Sequence, residues 1–207
     1  MGKIQKKLFI TGIGTDVGKT VCSAILMRHF QADYWKPIQS GDLDSSDSAK
    51  VYDWSGGDLI CHPETYRLQL AVSPHESAHA EGITIKLNKF EIPKTSNNII
   101  IEGAGGLMVP LNNENVIIDL IEKLNINVAL VVRNYLGCIN HTLLSILALQ
   151  HKNIPLEYVI LNGKFPHHTE RILLHCIAPE TKIIRIPHLK TISRESIAKL
   201  VDQMNVQ

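Results

Sequence analysis

The chain reads as an α/β fold, a mainly parallel sheet with helices on both faces, with residues 1–207 forming one domain. Three observations predict this. Six short apolar runs, at residues 8–11, 33–36, 98–102, 128–132, 158–161 and 182–186, have the length and near-continuous hydrophobicity of strands buried on both faces. Helical patterns fall between most of them, and strands that alternate with helices pair in parallel through crossover connections. The first run leads straight into a glycine-bearing loop, Gly12-Ile13-Gly14-Thr15-Asp16-Val17-Gly18-Lys19-Thr20, followed by a helical pattern over residues 21–30.

That strand, loop and helix form a phosphate cradle and narrow the fold class to P-loop NTPase-like. A loop of this kind points successive N–H groups inward, and the helix N-terminus adds positive potential. Lys19 supplies a point charge for the β- and γ-phosphates, and the Thr20 hydroxyl suits Mg²⁺. The usual pattern has about four residues between its first glycine and Gly-Lys-Thr; here five separate Gly12 from Gly18.

The second run ends in Lys36-Pro37-Ile38-Gln39-Ser40-Gly41. A lysine at the carboxyl end of a buried strand can neutralise charge on a transferring phosphate, although by itself it suits a solvated strand edge equally well. Residues 41–94 are broken by Gly56-Gly57, Pro63, Pro74 and Pro93 into short helices and loops, where an active-site insertion belongs. Within them Asp47 is a candidate metal ligand, and it also suits the cap or first turn of a helix. His75, in Ser73-Pro74-His75, is a weaker candidate, since a lone histidine is commonly structural or exposed.

The third run ends in Glu102 and then Gly103-Ala104-Gly105-Gly106. A carboxylate closing a buried run stands where a Walker-B acid holds Mg²⁺ or its water, and the glycines let backbone approach a ligand. Over residues 116–124, Val116, Leu120, Ile121 and Leu124 share one helical face. After the fourth run, Tyr135-Leu136-Gly137-Cys138-Ile139-Asn140-His141-Thr142 opens a helix over residues 142–150 whose apolar residues run all round, predicting a buried helix. The N–H groups opening that helix suit a carboxylate, and a plain connection capped by Asn140 accounts for the turn equally well. A shorter helix over residues 170–177 precedes the last run.

With 21 basic against 20 acidic residues and no basic run interleaved with aromatics, nucleic acid is not an expected partner. Cys22, Cys61, Cys138 and Cys176 form no C-x-x-C pair, which argues against a zinc knuckle or disulfide framework and suits a reducing compartment. Cys138 has no evident activating base, so no nucleophilic thiol is expected. The basic start, Met1-Gly2-Lys3-Ile4-Gln5-Lys6-Lys7, is followed by too short an apolar run for a signal peptide, and no stretch reaches membrane-spanning length. A cytoplasmic protein without membrane association is expected.

Five ordered blocks covering residues 11 to 142 resemble the dethiobiotin synthetase family: Thr11-Gly12 with Asp16-Val17-Gly18-Lys19-Thr20; Trp35-Lys36-Pro37-Ile38-Gln39-Ser40-Gly41; Ser73-Pro74-His75; Glu102-Gly103-Ala104-Gly105-Gly106-Leu107 with Val109-Pro110-Leu111; and Leu136-Gly137-Cys138-Ile139-Asn140-His141-Thr142. That family's phosphate loop has the longer spacing found here. The resemblance implies a homodimeric ATP- and Mg²⁺-dependent ligase that makes dethiobiotin from 7,8-diaminononanoate and CO₂. It implies nucleotide contacts from Gly12, Asp16, Val17, Gly18, Lys19, Thr20, Val21, Gly103, Ala104 and Gly105. Lys19 and Lys36 would act on the transferring phosphate, and Thr20, Asp47 and Glu102 would surround Mg²⁺. Thr15 and Ser40 would touch the diamine or its carbamate, while Gly137, Cys138, Ile139 and Asn140 would hold the substrate carboxylate across the dimer interface. Asn162 resembles the adenine-reading asparagine, and Pro187-His188-Leu189 the loop over the base.

Two other functions belong to the same sequence class. A partitioning-type P-loop ATPase usually carries an additional lysine early in its loop, and Ile13-Gly14-Thr15 has none. A glutamine-dependent amide ligase would need an amidotransferase domain, for which the chain leaves little room.

Overall fold

The computed structural model describes residues 5–204. Met1-Gly2-Lys3-Ile4, the first part of the basic start weighed above against a signal peptide, lie outside the described residues. The elements run β1 (Lys7–Gly12), α1 (Lys19–Phe30), β2 (Ala32–Trp35), β3 (Ile38–Ser40), α2 (Asp47–Ser55), β4 (Cys61–His62), β5 (Tyr66–Leu68), α3 (Pro74–Ala80), β6 (Asn98–Gly106), α4 (Ile117–Leu124), β7 (Asn127–Arg133), α5 (Cys138–His151), β8 (Leu156–Asn162), α6 (His167–Cys176), β9 (Lys182–Ile186) and α7 (Arg194–Gln203).

Seven strands form one parallel sheet in the order β4-β2-β6-β1-β7-β8-β9. All six expected strands are in it. Alternate residues feed two cores on opposite faces: Leu8, Ile10, Tyr34 and Ile100 join one with α1, while Phe9, Trp35, Ile99 and Ile101 join the other with α4. Burial on both faces is why the runs read as continuously apolar rather than alternating. The β1–β6 ladder sets Ile10 opposite Glu102, then slips so that Gly12 faces Gly106. That irregularity bends the end of β6 beside the phosphate loop.

Three features differ from the sequence expectation. The 41–94 stretch has the short helices expected of it, α2 and α3, but it also carries strands: β4 joins the edge of the main sheet, and β5 pairs in parallel with β3, which precedes the stretch. The chain also closes with α7, capped by Ser193, whose hydroxyl accepts from the Ser196 N–H, and held by buried Ile197. The signal for it, serine before an Ile197, Leu200, Val201 spacing, was present but short. Finally, α5 is not buried all round: Thr142, Ile146 and Leu149 face inward, but Leu144 and Leu147 are 57% and 60% exposed. Apolar periodicity identified the helix without revealing that its second face has no cover among the described residues.

Among the described residues no helix is long and apolar enough to cross a membrane.

Candidate active site

Parallel strands bring their carboxyl ends to one edge of the sheet, and a cavity of about 740 Å³ opens there. The phosphate loop leaves β1 and is tied back to β7 by the Ile13 N–H, which donates to the Val131 carbonyl at 3.1 Å. Gly18 caps α1 at φ 92°, and a β-carbon there would stand 2.2 Å from Asn162 Nδ2. Both the left-handed conformation and the close approach require glycine. Lys19 lies almost buried inside the loop and donates from Nζ to the Gly14 carbonyl at 3.1 Å. Burial lowers its pKa below the ordinary lysine value, offset only in part by Glu102 and Asp47.

Four side chains from distant segments meet beside this loop. Thr20 donates from Oγ1 to Asp47 Oδ1 at 3.0 Å and to Glu102 Oε1 at 3.1 Å, one hydroxyl proton shared between alternatives. Lys36 Nζ lies 2.7 Å from Asp47 Oδ2 and 3.2 Å from Glu102 Oε1. Lys36 and Glu102 are 4% and 1% exposed, so the network sits in a low-dielectric setting where each charge requires its partner. Burial opposes the Lys36 charge, but Glu102 and Asp47 outweigh it and raise its pKa. Asp47 is likewise held below the usual carboxylate value because Lys36 and Thr20 overcome burial.

Asp47 is the first residue of α2, with Ser46 as the cap accepting from the Ala49 N–H. The two readings of Asp47 therefore coexist, a first-turn acid whose carboxylate points into the site. An all-oxygen set of one hydroxyl and two carboxylates matches the chemistry of Mg²⁺, which favours one or two carboxylates with water and phosphate over a full protein cage. Among the described residues no group of three or more His, Cys, Asp or Glu is arranged to hold a metal.

Thr15, Asp16, Gly18, Lys19, Thr20, Val21, Lys36, Ser40, Asp47, Glu102, Ala104 and Gly105 all line the cavity. The Ser40 hydroxyl there is buried without a hydrogen-bond partner among the described residues. Gly12 and Val17 stand behind the wall: the Val17 side chain packs 2.5 Å from where a Gly12 β-carbon would be. Gly103 also lies outside it, its α-carbon turned toward the Phe9 ring in the core. Asn162 adjoins the loop from the other side, donating from Nδ2 to the Val17 carbonyl at 2.8 Å. Pro187, His188 and Leu189 follow β9, whose Ile186 carbonyl accepts from the Gly163 N–H.

Gly137, Cys138, Ile139 and Asn140 do not line the cavity of their own chain. Gly137 caps α5, so Asn140 is not its cap. Cys138 is buried, whereas Asn140 is exposed on the outer surface. Ser73 and Pro74 reach the cavity, but His75 instead faces a second hollow of about 810 Å³ beside Thr84 and Asn112.

Sequence reasoning missed Gln39, Lys50, Trp54 and Arg133 on the cavity wall. Gln39 Oε1 accepts from the Asp47 N–H at 3.3 Å, and Arg133 donates from Nη1 to the Asp16 carbonyl at 3.1 Å. Arg133 ends β7, and its position at a strand's carboxyl end was the available signal. Lys50 lies one helical turn beyond Asp47 on α2, and the i, i+3 spacing carried that information.

A family model described as an AAA domain matches residues 6–196. Three curated relatives bear the name ATP-dependent dethiobiotin synthetase BioD. The protein of Cytophaga hutchinsonii is 47% identical, over 87% of this chain and 92% of its own length. That of Christiangramia forsetii is 50% identical over 77% of both chains, and that of Chlamydia pneumoniae 38% over 92% of this chain and 83% of its own. With such identity across most of both lengths, this chain belongs to the ATP-dependent dethiobiotin synthetase family.

Proposed function

We propose that this chain is an ATP-dependent cyclo-ligase of biotin biosynthesis, forming the ureido ring of dethiobiotin from 7,8-diaminononanoate and CO₂. The observation that carries the reading is the meeting of Thr20, Lys36, Asp47 and Glu102 beside the phosphate loop. Residues 1–207 act as one domain, working in the cytoplasm on small molecules.

One substrate amine adds to CO₂ and loses a proton, giving a carbamate. A carbamate oxygen attacks the γ-phosphorus as the bond to ADP breaks, producing a carbamic–phosphoric anhydride. The second amine attacks the carbamoyl carbon, its proton departs, and phosphate leaves as the ring closes. This chemistry depends on positioning and charge neutralisation rather than on a covalent enzyme intermediate. Lys19 exchanges its Gly14 carbonyl contact for the β- and γ-phosphates, while the Lys36 ammonium, kept charged by two acids, follows the charge that develops on the moving phosphoryl group. Ser40, whose hydroxyl has no partner among the described residues, contacts the diamine or carbamate together with Thr15. Thr20, Asp47 and Glu102 would hold Mg²⁺, which when bound neutralises phosphate charge and orients it for in-line attack. Nucleotide contacts come from Asp16, Gly18, Lys19, Thr20 and Val21 of the loop and from Ala104 and Gly105, with Gly12, Val17 and Gly103 shaping the wall behind them and with Asn162 and the Pro187, His188 and Leu189 segment around the base.

A homodimer completes the site. Leu136, Asn140, Leu144 and Leu147 follow one another at four, four and three residues, so they form one stripe on α5 and its leading turn. Leu136, Leu144 and Leu147 are strongly exposed, an apolar face that asks for a second copy, and the stripe carries Asn140 toward that copy's cavity. The α5 N-terminus, with Gly137, Cys138, Ile139 and Asn140, then receives the substrate carboxylate.

Incubation with 7,8-diaminononanoate, bicarbonate, Mg²⁺ and ATP, followed by mass spectrometry and phosphate assay, should yield the cyclic urea with stoichiometric phosphate. A nucleotide-dependent protein complex without product, or an amide product, overturns the assignment. Mixing Asn140→Ala chains with Lys19→Ala chains should restore activity at the one hybrid site that carries neither lesion. No recovery after mass spectrometry has verified mixed dimers would mean that each site is built within one chain.

A further inference from the structure

Tyr34 lies fully buried on β2, two residues before Lys36. The parallel register sets Tyr34 opposite Ile100, so the two-residue period puts Tyr34 and Lys36, with Ile100 and Glu102, on one face of the sheet. Leaning along the strand, the Tyr34 hydroxyl donates to Glu102 Oε2 at 2.9 Å. Glu102 Oε1 is approached instead by Thr20 at 3.1 Å and Lys36 at 3.2 Å. The two oxygens therefore have separate partners, one a neutral donor rooted in the core and the other the charged and hydroxyl groups at the cavity. Burial and then the Glu102 charge raise the Tyr34 phenol well above its ordinary value, so it remains a donor through the neutral range.

We propose that Tyr34 is a positioning residue that holds Glu102 by Oε2 and so presents Oε1 to a divalent cation shared with Thr20 and Asp47. This rests on the proposed role of Glu102 at Mg²⁺. Without the hydroxyl, the buried Oε2 has no donor, and the carboxylate turns both oxygens toward the Lys36 ammonium. A cation must then displace a tighter ion pair before it can bind. Groups that orient a metal-bound carboxylate commonly change metal affinity by about ten- to a hundredfold when removed.

Calorimetric titration of ADP at increasing MgCl₂ tests this without reference to turnover. Tyr34→Phe keeps the ring and loses one oxygen; Tyr34→Met fills similar apolar volume with no hydroxyl, should one variant fold poorly. Both should raise the Mg²⁺ concentration for half-maximal tightening of ADP roughly tenfold, while Mg²⁺-free ADP affinity stays unchanged. Glu102→Gln should raise it at least as far, and adding Tyr34→Phe to Glu102→Gln should change nothing more, because the hydroxyl acts through the carboxylate. If Glu102→Gln shifts the Mg²⁺ dependence and the Tyr34 variants do not, the positioning role is wrong while the site assignment stands. If Glu102→Gln itself leaves the dependence unchanged, the metal assignment of Glu102 falls and the inference falls with it. A Tyr34→Phe effect confined to the melting temperature, or additive in the double variant, also overturns the proposal.

Discussion

Two acids buried in the same sheet, Asp33 and Glu102, sit in opposite settings. Asp33, near the start of β2, is fully buried and surrounded by short-range, largely neutral donors. It accepts from Thr95 Oγ1 at 2.6 Å, Asn97 Nδ2 at 3.0 Å and the Ile60 N–H at 3.3 Å, with the His62 imidazole 3.4 Å away. Those bonds fasten the segment before β6 and the edge strand β4 to β2. Glu102, at the other end of the neighbouring strand, is bonded to Thr20, Tyr34 and Lys36 beside an open cavity. A carboxylate saturated by fixed donors is a latch; one facing an ammonium and a hydroxyl beside a cavity is free to exchange partners, as the proposed mechanism requires of Glu102. Burial alone therefore does not mark a functional acid. The chemistry of its partners and the space beside them do.

The largest effect that would break this contrast belongs to the open end. Lys36→Met should lower kcat by about 10²–10³-fold, the usual result of removing one group that stabilises transition-state charge, with ATP affinity by titration little changed. A rise confined to the KM for ATP would make Lys36 a ground-state binding residue.

At the closed end the pattern should reverse. Asp33→Asn should cost about 1–3 kcal/mol of stability in urea unfolding, because donors lose their charged acceptor, and should leave kcat unchanged. Normal stability would mean that the latch contributes nothing. The sign of its pH dependence follows from its cause. Burial raises the Asp33 pKa, but the bonds from Thr95, Asn97 and Ile60 outweigh it and hold the folded value below 3.8. The stabilisation is thus present above 3.8 and lost as pH falls through the lower folded value. Wild type should lose stability more steeply than Asp33→Asn in that acid window.

A smaller effect should appear in base. Burial lowers the Lys19 pKa in the free protein, so kcat/KM for ATP should decline as pH rises, beginning below the ordinary lysine value of 10.5. Lys19→Arg, whose guanidinium stays charged, should move whatever limb remains to higher pH. An unmoved limb would assign the titration to another group.

The phosphate loop was legible because its function needs local geometry. Gly18, Lys19 and Thr20 act as neighbours on one turn, and spacing records that directly. The place of Glu102 beside the loop was legible for a related reason, since an acid that ends a buried run reaches either solvent or a cavity at the edge of the sheet. Asp47 was only half legible: a first-turn acid serves helix and site alike, and nothing local tells which way its carboxylate points. The α5 stripe was misread because apolar residues facing a partner and those facing a core have the same hydropathy. Tyr34 gave no local signal and Arg133 only its place at the end of a strand, because their partners lie 68 and 117 residues away.

The sequence by itself determined the buried strands, the phosphate loop and the identity of the charged groups, because hydrophobic period, glycine conformation and lysine spacing act over a few residues. Only the tertiary structure decided that β6 inserts between β1 and β2. That insertion sets Glu102 opposite Ile10 and within reach of Thr20, Tyr34 and Lys36. Strand order is settled by how long crossover segments bury their helices on both faces of the sheet, a global packing condition that no short stretch of chain encodes.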